Sequence, residues 1–223
     1  MEGLLRRRDL PHFCLVDYKT DPSFLAALTE IEQIPQAHGI ILNTFEDLDG
    51  PFLSNIRSYS PKTYGIGPIH LQLKNKLVGQ QITSLLSSNS LWQEDQSSIK
   101  WLDAQPVGSV IYLGSTKKIL GHQAIGGFLT HSGWNSTVEY QRVNSRLVEK
   151  FWQIGLDMKD NCDRCTIERM IKNLMGIKRD EFKKSIDNLS KLANLSVGEG
   201  GSSNNDLEAL IKDIKGFTKL KKM

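Results

Sequence analysis

Hydrophobic residues at a spacing of three or four positions predict a helix over residues 21–33. Asp21 suits the N-cap position, and Pro22 suits the first helical position because its fixed φ angle matches a helix start. The apolar residues that would share one face are Phe24, Leu25, Leu28 and Ile31. A second helix is predicted over 45–58, broken or begun near Pro51.

Short apolar runs predict strands at 39–43, 109–113 and 125–130. The first is the continuous kind of run that is typical of a strand buried in a parallel sheet. Because helical segments alternate with these runs, the sequence predicts an α/β fold with a mainly parallel sheet. Only about a dozen residues separate the second strand from the third, so the crossover would be thin, with 117–124 as its only helical material.

The rest of the chain predicts a linker and a helical end. Residues 70–100 are polar and rich in serine and glutamine, which is typical of a linker or an insertion. From Thr166 onward the apolar spacing is helical. We therefore divide the chain into an N-terminal part at 1–69, a linker at 70–100 and a C-terminal part at 101–223.

Composition excludes several classes of protein. The 223 residues are 39% hydrophobic and 24% charged, which fits neither a disordered nor a fibrous chain. A net charge of +3, with basic clusters at 6–8 and 219–222 that lack interleaved aromatic residues, does not indicate nucleic-acid binding. No run approaches the roughly 18 apolar residues of a membrane span. The lack of an apolar leader after Met1 favours the cytoplasm.

The three cysteines are too few for a disulfide scaffold and fit a reducing compartment. Cys162 and Cys165 form a CxxC pair. A structural zinc site would need a second pair of ligands, and none of the five histidines lies near in sequence. A thioredoxin-like pair would begin a helix after a strand, whereas this pair follows a polar stretch. We predict neither a metal site nor a redox site.

One segment has a pattern suited to a phosphate-bearing ligand. It reads Gly126-Gly-Phe-Leu-Thr-His-Ser-Gly-Trp-Asn-Ser-Thr-Val-Glu139 and would run from a strand into a helix. The strand would bring His131 to the end of the sheet, and Gly133 would let the backbone approach a ligand closely. The N–H groups and dipole of a helix start favour an anion, with Asn135 and Ser136 as additional donors.

Glu139 leaves two interpretations open. It lies three residues after Ser136 and four after Asn135, so the three side chains would share a helix face. Its carboxylate could accept hydrogen bonds from a ribose diol, as acidic residues do in other nucleotide sites. Alternatively, residues 136–139 form a capping box that satisfies the N–H groups at the helix start. These residues alone favour neither interpretation.

Taken singly, His131 and Trp134 are typical of packed side chains, but their joint spacing is distinctive. The pattern His-x-Gly-Trp-Asn-Ser-x-x-Glu over 131–139 resembles the signature of plant family 1 UDP-glycosyltransferases. Further segments resemble that family in the same order along the chain: Leu42-Asn-Thr-Phe-Glu-Asp-Leu48, Tyr64-Gly-Ile-Gly-Pro68, Trp101-Leu-Asp-Ala-Gln-Pro106, Asn144-Ser-Arg146 and Trp152. The opening Leu5-Arg-Arg-Arg-Asp-Leu-Pro11 is similar to the iridoid branch of the family.

The resemblance implies a GT-B fold, in which two Rossmann-like domains with parallel sheets and flanking helices face each other. This chain would be an incomplete fragment of that fold. Residues 1–69 would be a remnant of the acceptor domain, 70–100 the interdomain linker, and 101–223 a shortened domain that binds the UDP-sugar. The donor would be UDP-glucose, and neither a metal nor a further cofactor would be required.

The resemblance also implies roles for single residues of the signature. His131, Asn135 and Ser136 would hold the diphosphate of the donor. Gly133 and Trp134 would shape the loop around it, and the carboxylate of Glu139 would bind the ribose hydroxyls.

Parts of the family's site have no match in this chain. The family's catalytic base is a histidine near the N-terminus, and neither His12 nor His38 matches its motif, so we assign no catalytic residue. After Ser115 the family continues through several elements that carry a tryptophan for the uracil and a glutamine for the ribose, whereas here Lys117 follows almost at once. Gln141 is the candidate remnant of the Asp-Gln pair that binds the sugar, and Ser115 is a further candidate for donor contacts.

Two functions follow from this comparison. The first is a UDP-glucosyltransferase that moves glucose from UDP-glucose to a hydroxyl or carboxyl of a small plant metabolite, such as an iridoid, a terpenoid or a flavonoid. Its partners would be the UDP-sugar and a small-molecule aglycone. The alternative is a catalytically inactive truncated product that at most binds UDP weakly. The missing parts leave open whether this chain is an enzyme.

Overall fold

The computed structural model describes residues 5–11, 14–77, 97–113, 117–129, 141–158 and 163–220. Helices and strands are interspersed up to residue 129, and only helices follow in the described residues. Both strand pairs are parallel, so the predicted α/β class is confirmed.

The helices and strands, in chain order, are α1 Pro22–Gln33, β1 Ile40–Leu42, α2 Glu46–Tyr59, β2 Thr63–Gly65, α3 Ile69–Leu77, α4 Ser97–Asp103, β3 Val110–Leu113, α5 Lys117–Leu120, β4 Ile125–Leu129, α6 Gln141–Arg146, α7 Arg164–Lys172, α8 Arg179–Val197 and α9 Ser202–Leu220. Within the described residues, 3-10 turns include Arg7–Asp9 and Ile34–Gln36, and π-helical turns include Leu147–Phe151 and Asn173–Ile177.

The described residues form two compact units. The first lies within residues 16–84 and 186–223, and the second lies within residues 2–15 and 85–185. These bounds differ from the predicted division at 69, 100 and 101, because α9 packs on β2 and therefore belongs with the early part of the chain. The donor and acceptor roles assigned to these stretches stay predictions.

The first unit is built on the parallel pair β1 and β2, in which Ile40 lies opposite Thr63 and Leu42 opposite Gly65. All three residues of β2 are buried. The strand predicted at 39–43 is confirmed, but its predicted burial is wrong at the centre, where Ile41 is 54% exposed. Among the described residues β1 pairs only with β2. No further described strand therefore covers the Ile41 side chain.

The predicted helix at 21–33 is confirmed as α1. The Asp21 carboxylate accepts hydrogen bonds from the backbone N–H groups of Ser23 at 2.9 Å and Phe24 at 3.2 Å. The predicted apolar face is not buried, since no residue of α1 is buried, although the Phe24 ring contacts Tyr18 edge-on. The predicted break in the second helix is a kink at Asp49, two residues before Pro51, because proline disrupts the turn that precedes it.

Carboxylates of α9 hold β2 in place. Asp206 Oδ2 accepts hydrogen bonds from the Gly65 backbone N–H at 2.7 Å and from Arg57 Nη2 at 3.2 Å. Asp213 accepts from Tyr64 Oη and pairs with Lys62 Nζ at 3.0 Å. The hydrogen bond to Asp213, with burial second, raises the pKa of Tyr64 to about 12, and the same bond lowers the pKa of Asp213.

The second unit is built on the parallel pair β3 and β4, in which Ile111 lies opposite Gly127. The crossover between these strands contains the short helix α5, which ends at Leu120 and is therefore shorter than the predicted 117–124. Backbone approaches closely at β4: a Cβ added at Gly126 would lie 2.2 Å from the Gly108 carbonyl oxygen, and one at Gly127 would lie 2.8 Å from Leu174 Cδ2. Only glycine fits at these two positions without displacement of a neighbour.

The ends of the predicted linker at 70–100 are helical, as parts of α3 and α4, and the stretch 78–96 lies outside the described residues. The side chain of Asn43 accepts a hydrogen bond from the Ile69 backbone N–H at 3.1 Å, which satisfies a donor at the start of α3. Within the described part of the chain, no helix combines the length and the apolar character needed to cross a membrane.

Candidate functional site

The carboxyl ends of β3 and β4 define the edge of the sheet at which the candidate site begins. Leu113 and Leu129 are register partners and the last residues of their strands, so the chain leaves both strands at one edge. Ser115 and His131 each follow a strand end by two positions. Ligands of open parallel sheets bind outside the carboxyl ends of the strands. Ser115 and His131 therefore follow the strands at the edge of the sheet where a nucleotide would bind.

Most of the predicted site residues lie outside the described residues: Ser115, His131, Gly133, Trp134, Asn135, Ser136 and Glu139. Gln141 is the first residue of α6, and only its backbone is described. The structure thus places the two elements that flank the signature segment, β4 before it and α6 after it. The roles of the signature residues themselves stay predictions.

Close packing fixes the position of β4, the element before the signature. Leu174 and Met175 of the second π-helical turn lie against the glycine backbone at 126–127. Two apolar side chains at the end of the sheet are more than half exposed, Leu113 at 70% and Phe128 at 52%. Strand β4, which leads into the signature, is therefore closely packed against the second π-helical turn. The strand ends nearby carry exposed apolar side chains.

A buried aspartate contacts α6, the element after the signature. Asp9 is 4% exposed and accepts hydrogen bonds from Arg6 Nε at 2.8 Å and Arg6 Nη2 at 2.7 Å. Arg146 Nε, at the last residue of α6, lies 3.7 Å from Asp9 Oδ2. The hydrogen bonds from Arg6 outweigh burial and lower the pKa of Asp9. Sequence spacing could not predict this group, because Asp9 and Arg146 are far apart along the chain.

A histidine–aspartate pair lies just before β4, but its geometry does not suit a general base. His122 Nε2 lies 3.0 Å from Asp103 Oδ1, and His122 Nδ1 accepts a hydrogen bond from the Ala124 backbone N–H at 3.1 Å. A ring nitrogen that accepts carries no proton, so Nε2 carries it and donates to the carboxylate. Both nitrogens are engaged within the protein, and the pair orders the turn that leads into β4.

The chain is similar in sequence to curated plant glucosyltransferases, although no family model matches it. It is 39% identical to a 7-deoxyloganetic acid glucosyltransferase of Catharanthus roseus over 97% of this chain and 61% of the relative. It is 32% identical to a myricetin 3-O-rhamnoside 1,2-glucosyltransferase of Crocosmia x crocosmiiflora over 98% of this chain and 60% of the relative. The chain thus spans about three fifths of the length of these relatives.

The first alignment also contains internal gaps. It runs over 294 positions, whereas 97% of 223 residues is about 216, so about 78 positions of the relative have no counterpart within the matched region. The predicted internal deletions agree with this difference in length.

Solved structures confirm the predicted fold. Os79 of O. sativa, crystallised with UDP, superposes with a TM-score of 0.70 at 21% identity, over 94% of this chain and 63% of that one. A Glycyrrhiza uralensis glycosyltransferase, UGT73P12, superposes with a TM-score of 0.72 at 18% identity, over 97% of this chain and 61% of that one. In sequence the chain is similar to part of plant UDP-glucosyltransferases, and in fold it is similar to an incomplete GT-B glycosyltransferase.

Proposed function

We propose that this chain binds the UDP part of a UDP-sugar, as the donor-binding portion of a glucosyltransferase whose acceptor is a small plant metabolite. The main support for the proposal is the register of the strand ends. Leu113 and Leu129 are partners at the ends of adjacent strands, and the signature segment follows Leu129 directly. That edge is where parallel α/β sheets bind nucleotides. The low cysteine content supports a cytoplasmic location.

The signature supplies the chemistry that the two halves of UDP require. Backbone N–H groups and the side chains of Asn135 and Ser136 suit a diphosphate, and the Glu139 carboxylate suits a ribose diol. Such donors would hold the diphosphate through hydrogen bonds, and the proposal includes no metal. In the transfer itself, an acceptor oxygen would attack C1 of glucose, UDP would leave, and a base would take the acceptor proton. We assign that base to no residue of this chain.

The relatives support glucose as the transferred sugar and small metabolites as acceptors. Their names describe glucosyl transfer to 7-deoxyloganetic acid and to a myricetin rhamnoside. The similarity extends over nearly the whole of this chain, but the chain covers only part of those proteins. The acceptor is therefore proposed by class alone, as an iridoid, terpenoid or flavonoid that carries a hydroxyl or carboxyl group.

Calorimetric titration of UDP into the purified chain tests the proposal. We expect saturable binding that Glu139→Ala weakens by about tenfold or more, because a hydrogen bond to a charged group contributes roughly 1.5–3 kcal/mol. Glu181→Ala, at an exposed glutamate of α8, is the matched control and should bind UDP like the parent chain. A folded chain that does not bind UDP, or equal affinity for the parent and Glu139→Ala, would contradict the proposal.

A catalytically inactive UDP-binding product is the second candidate, favoured by the positions of the relative that have no counterpart here. Incubation with UDP-glucose and one acceptor of each class separates the two, with released UDP and glucosylated acceptor as the readouts. Release of UDP together with product formation supports the transferase. Saturable UDP binding without product supports the inactive binder. General-base catalysis contributes about 10²–10⁴-fold, so the assay must resolve rates reduced to that extent.

A further inference from the structure

We infer that Asp9 is a positioning residue for the nucleotide site, because its contact with Arg146 fixes the helix that immediately follows the signature segment. The inference rests on the proposed function, since it concerns the same site. Asp9 belongs to the arginine-rich segment near the start of this sequence, which has no role in the proposed contacts with the donor or the acceptor.

Asp9 is placed by its own segment with little freedom. Both carboxylate oxygens accept hydrogen bonds from the Arg6 guanidinium, and Oδ2 also accepts from the Arg6 backbone N–H at 2.8 Å. The Asp9 side chain is 6% exposed, whereas the Arg6 side chain is 36% exposed. Arg6 thus orients the carboxylate from the solvent side and leaves it facing inward, toward Arg146.

Arg146 connects this carboxylate to the candidate site. Its side chain is 14% exposed, and it is the last residue of α6, five positions after Gln141. The next residue, Leu147, is buried and begins the first π-helical turn. An α-helix of six residues has little stability of its own, so its position depends on tertiary contacts. The 3-10 turn Arg7–Asp9 packs against α6 and supplies such a contact.

Loss of the carboxylate would remove the contact that joins the Arg7–Asp9 turn to the Arg146 side chain. The turn would then hold the end of α6 less firmly. A shift of α6 displaces Gln141 and the end of the signature segment that joins it. Nucleotide contacts are sensitive to shifts of this kind, because binding groups must be held to within about 0.5 Å of the productive geometry.

Asp9→Asn tests the inference through two readouts on the full chain. Titration of UDP should give an affinity about 3- to 30-fold weaker than that of the parent, the range expected for a residue coupled to a site without touching the ligand. Hydrogen–deuterium exchange should be faster at the α6 amides, while the α7 amides, in the same unit, keep the exchange rate of the parent. Arg146→Gln should reproduce both effects.

The matched control is Asp180→Asn, the same substitution at an exposed aspartate of the second unit. It should change neither UDP affinity nor exchange at α6. Faster exchange at α6 and α7 alike in Asp9→Asn would indicate general destabilisation and would overturn the inference, as would unchanged UDP affinity.

A double variant distinguishes positioning from an independent effect. If Asp9 acts through the site, Asp9→Asn combined with Glu139→Ala should weaken UDP binding less than the product of the two single effects. Independent effects would multiply and would contradict the inference. A parent chain that does not bind UDP contradicts the proposed function instead, and the exchange of α6 then decides by itself whether Asp9 fixes this helix.

Discussion

The two parallel strand pairs are held by different physical means. In the first unit, Asp206 and Asp213 of α9 bind β2 through hydrogen bonds and ion pairs with Gly65, Tyr64, Arg57 and Lys62. In the second unit, β4 is held by the close approach of glycine backbone to Leu174, Met175 and the Gly108 carbonyl. The stability of the first strand pair therefore depends on charged side chains and their protonation. The stability of the second depends on the small volume of its glycine residues.

This difference predicts that the two units respond to different changes. An added methyl group affects β4 most, because packed interiors cannot absorb extra volume without moving backbone. The same addition on the exposed face of α9 has no such cost. Loss of a carboxylate or a change of pH affects β2 most. Substitutions that add volume and substitutions that remove a charge should therefore act on different strands.

The largest expected effect is that of Gly126→Ala. Its Cβ would lie 2.2 Å from a backbone oxygen, so β4 must move, and we expect the free energy of unfolding to fall by about 3 kcal/mol. Urea unfolding measures the loss, and hydrogen exchange should locate it in β4 and not in β2. Gly216→Ala in α9, where an added Cβ meets nothing within 4 Å, should stabilise the chain by up to about 1 kcal/mol. Equal effects of the two substitutions would contradict the volume argument.

Asp206→Ala should have an intermediate effect on the first unit. It leaves the Gly65 N–H and part of the Arg57 guanidinium without their acceptor, which costs about 2 kcal/mol of unfolding free energy. Asp187→Ala, at an exposed position of α8 in the same unit, controls for the gain in helix propensity. We expect faster hydrogen exchange at β2 in Asp206→Ala only, and an unchanged β2 would show that α9 does not hold this strand through the carboxylate.

The smallest expected effect concerns alkaline pH. The folded-state pKa of Tyr64 is raised to about 12 from the ordinary 10.0, so its hydrogen bond to Asp213 stabilises the fold fully below pH 10. That stability is lost as the pH rises from 10 to about 12. Urea unfolding should therefore show a steeper alkaline loss in the parent than in Tyr64→Phe. Tyr59→Phe, at a 72% exposed tyrosine, is the control and should keep the parent's profile.

Local sequence signals predicted the elements whose causes are local. The cap at Asp21, the kink before Pro51 and the thin crossover between β3 and β4 each follow from residues within a few positions of one another. Strand β2 was not predicted, because three residues between proline and glycine give no hydrophobic period. Its burial depends on Asp206 and Asp213, which lie more than 140 residues later.

The distinction between local and long-range causes applies to the candidate site as well. The strand predicted before the signature is present as β4, whereas the helix predicted to begin at Asn135 and Ser136 starts outside the described residues and stays a prediction. The contact of Asp9 with Arg146 and the pairing of His122 with Asp103 have no spacing that a reader of the sequence could recognise. Such contacts exist only once the fold has brought distant segments together.

The long separation of Tyr64 from Asp213 has a consequence for the order in which the chain is made. The two residues lie 149 positions apart, so at 5–20 residues per second roughly 7–30 seconds of synthesis pass between them. Throughout that interval the Gly65 N–H and the Tyr64 side chain lack their partners on α9. A newly made first unit is therefore dependent on α9, which is synthesised more than 140 residues later, and until then β2 is open to association with other chains.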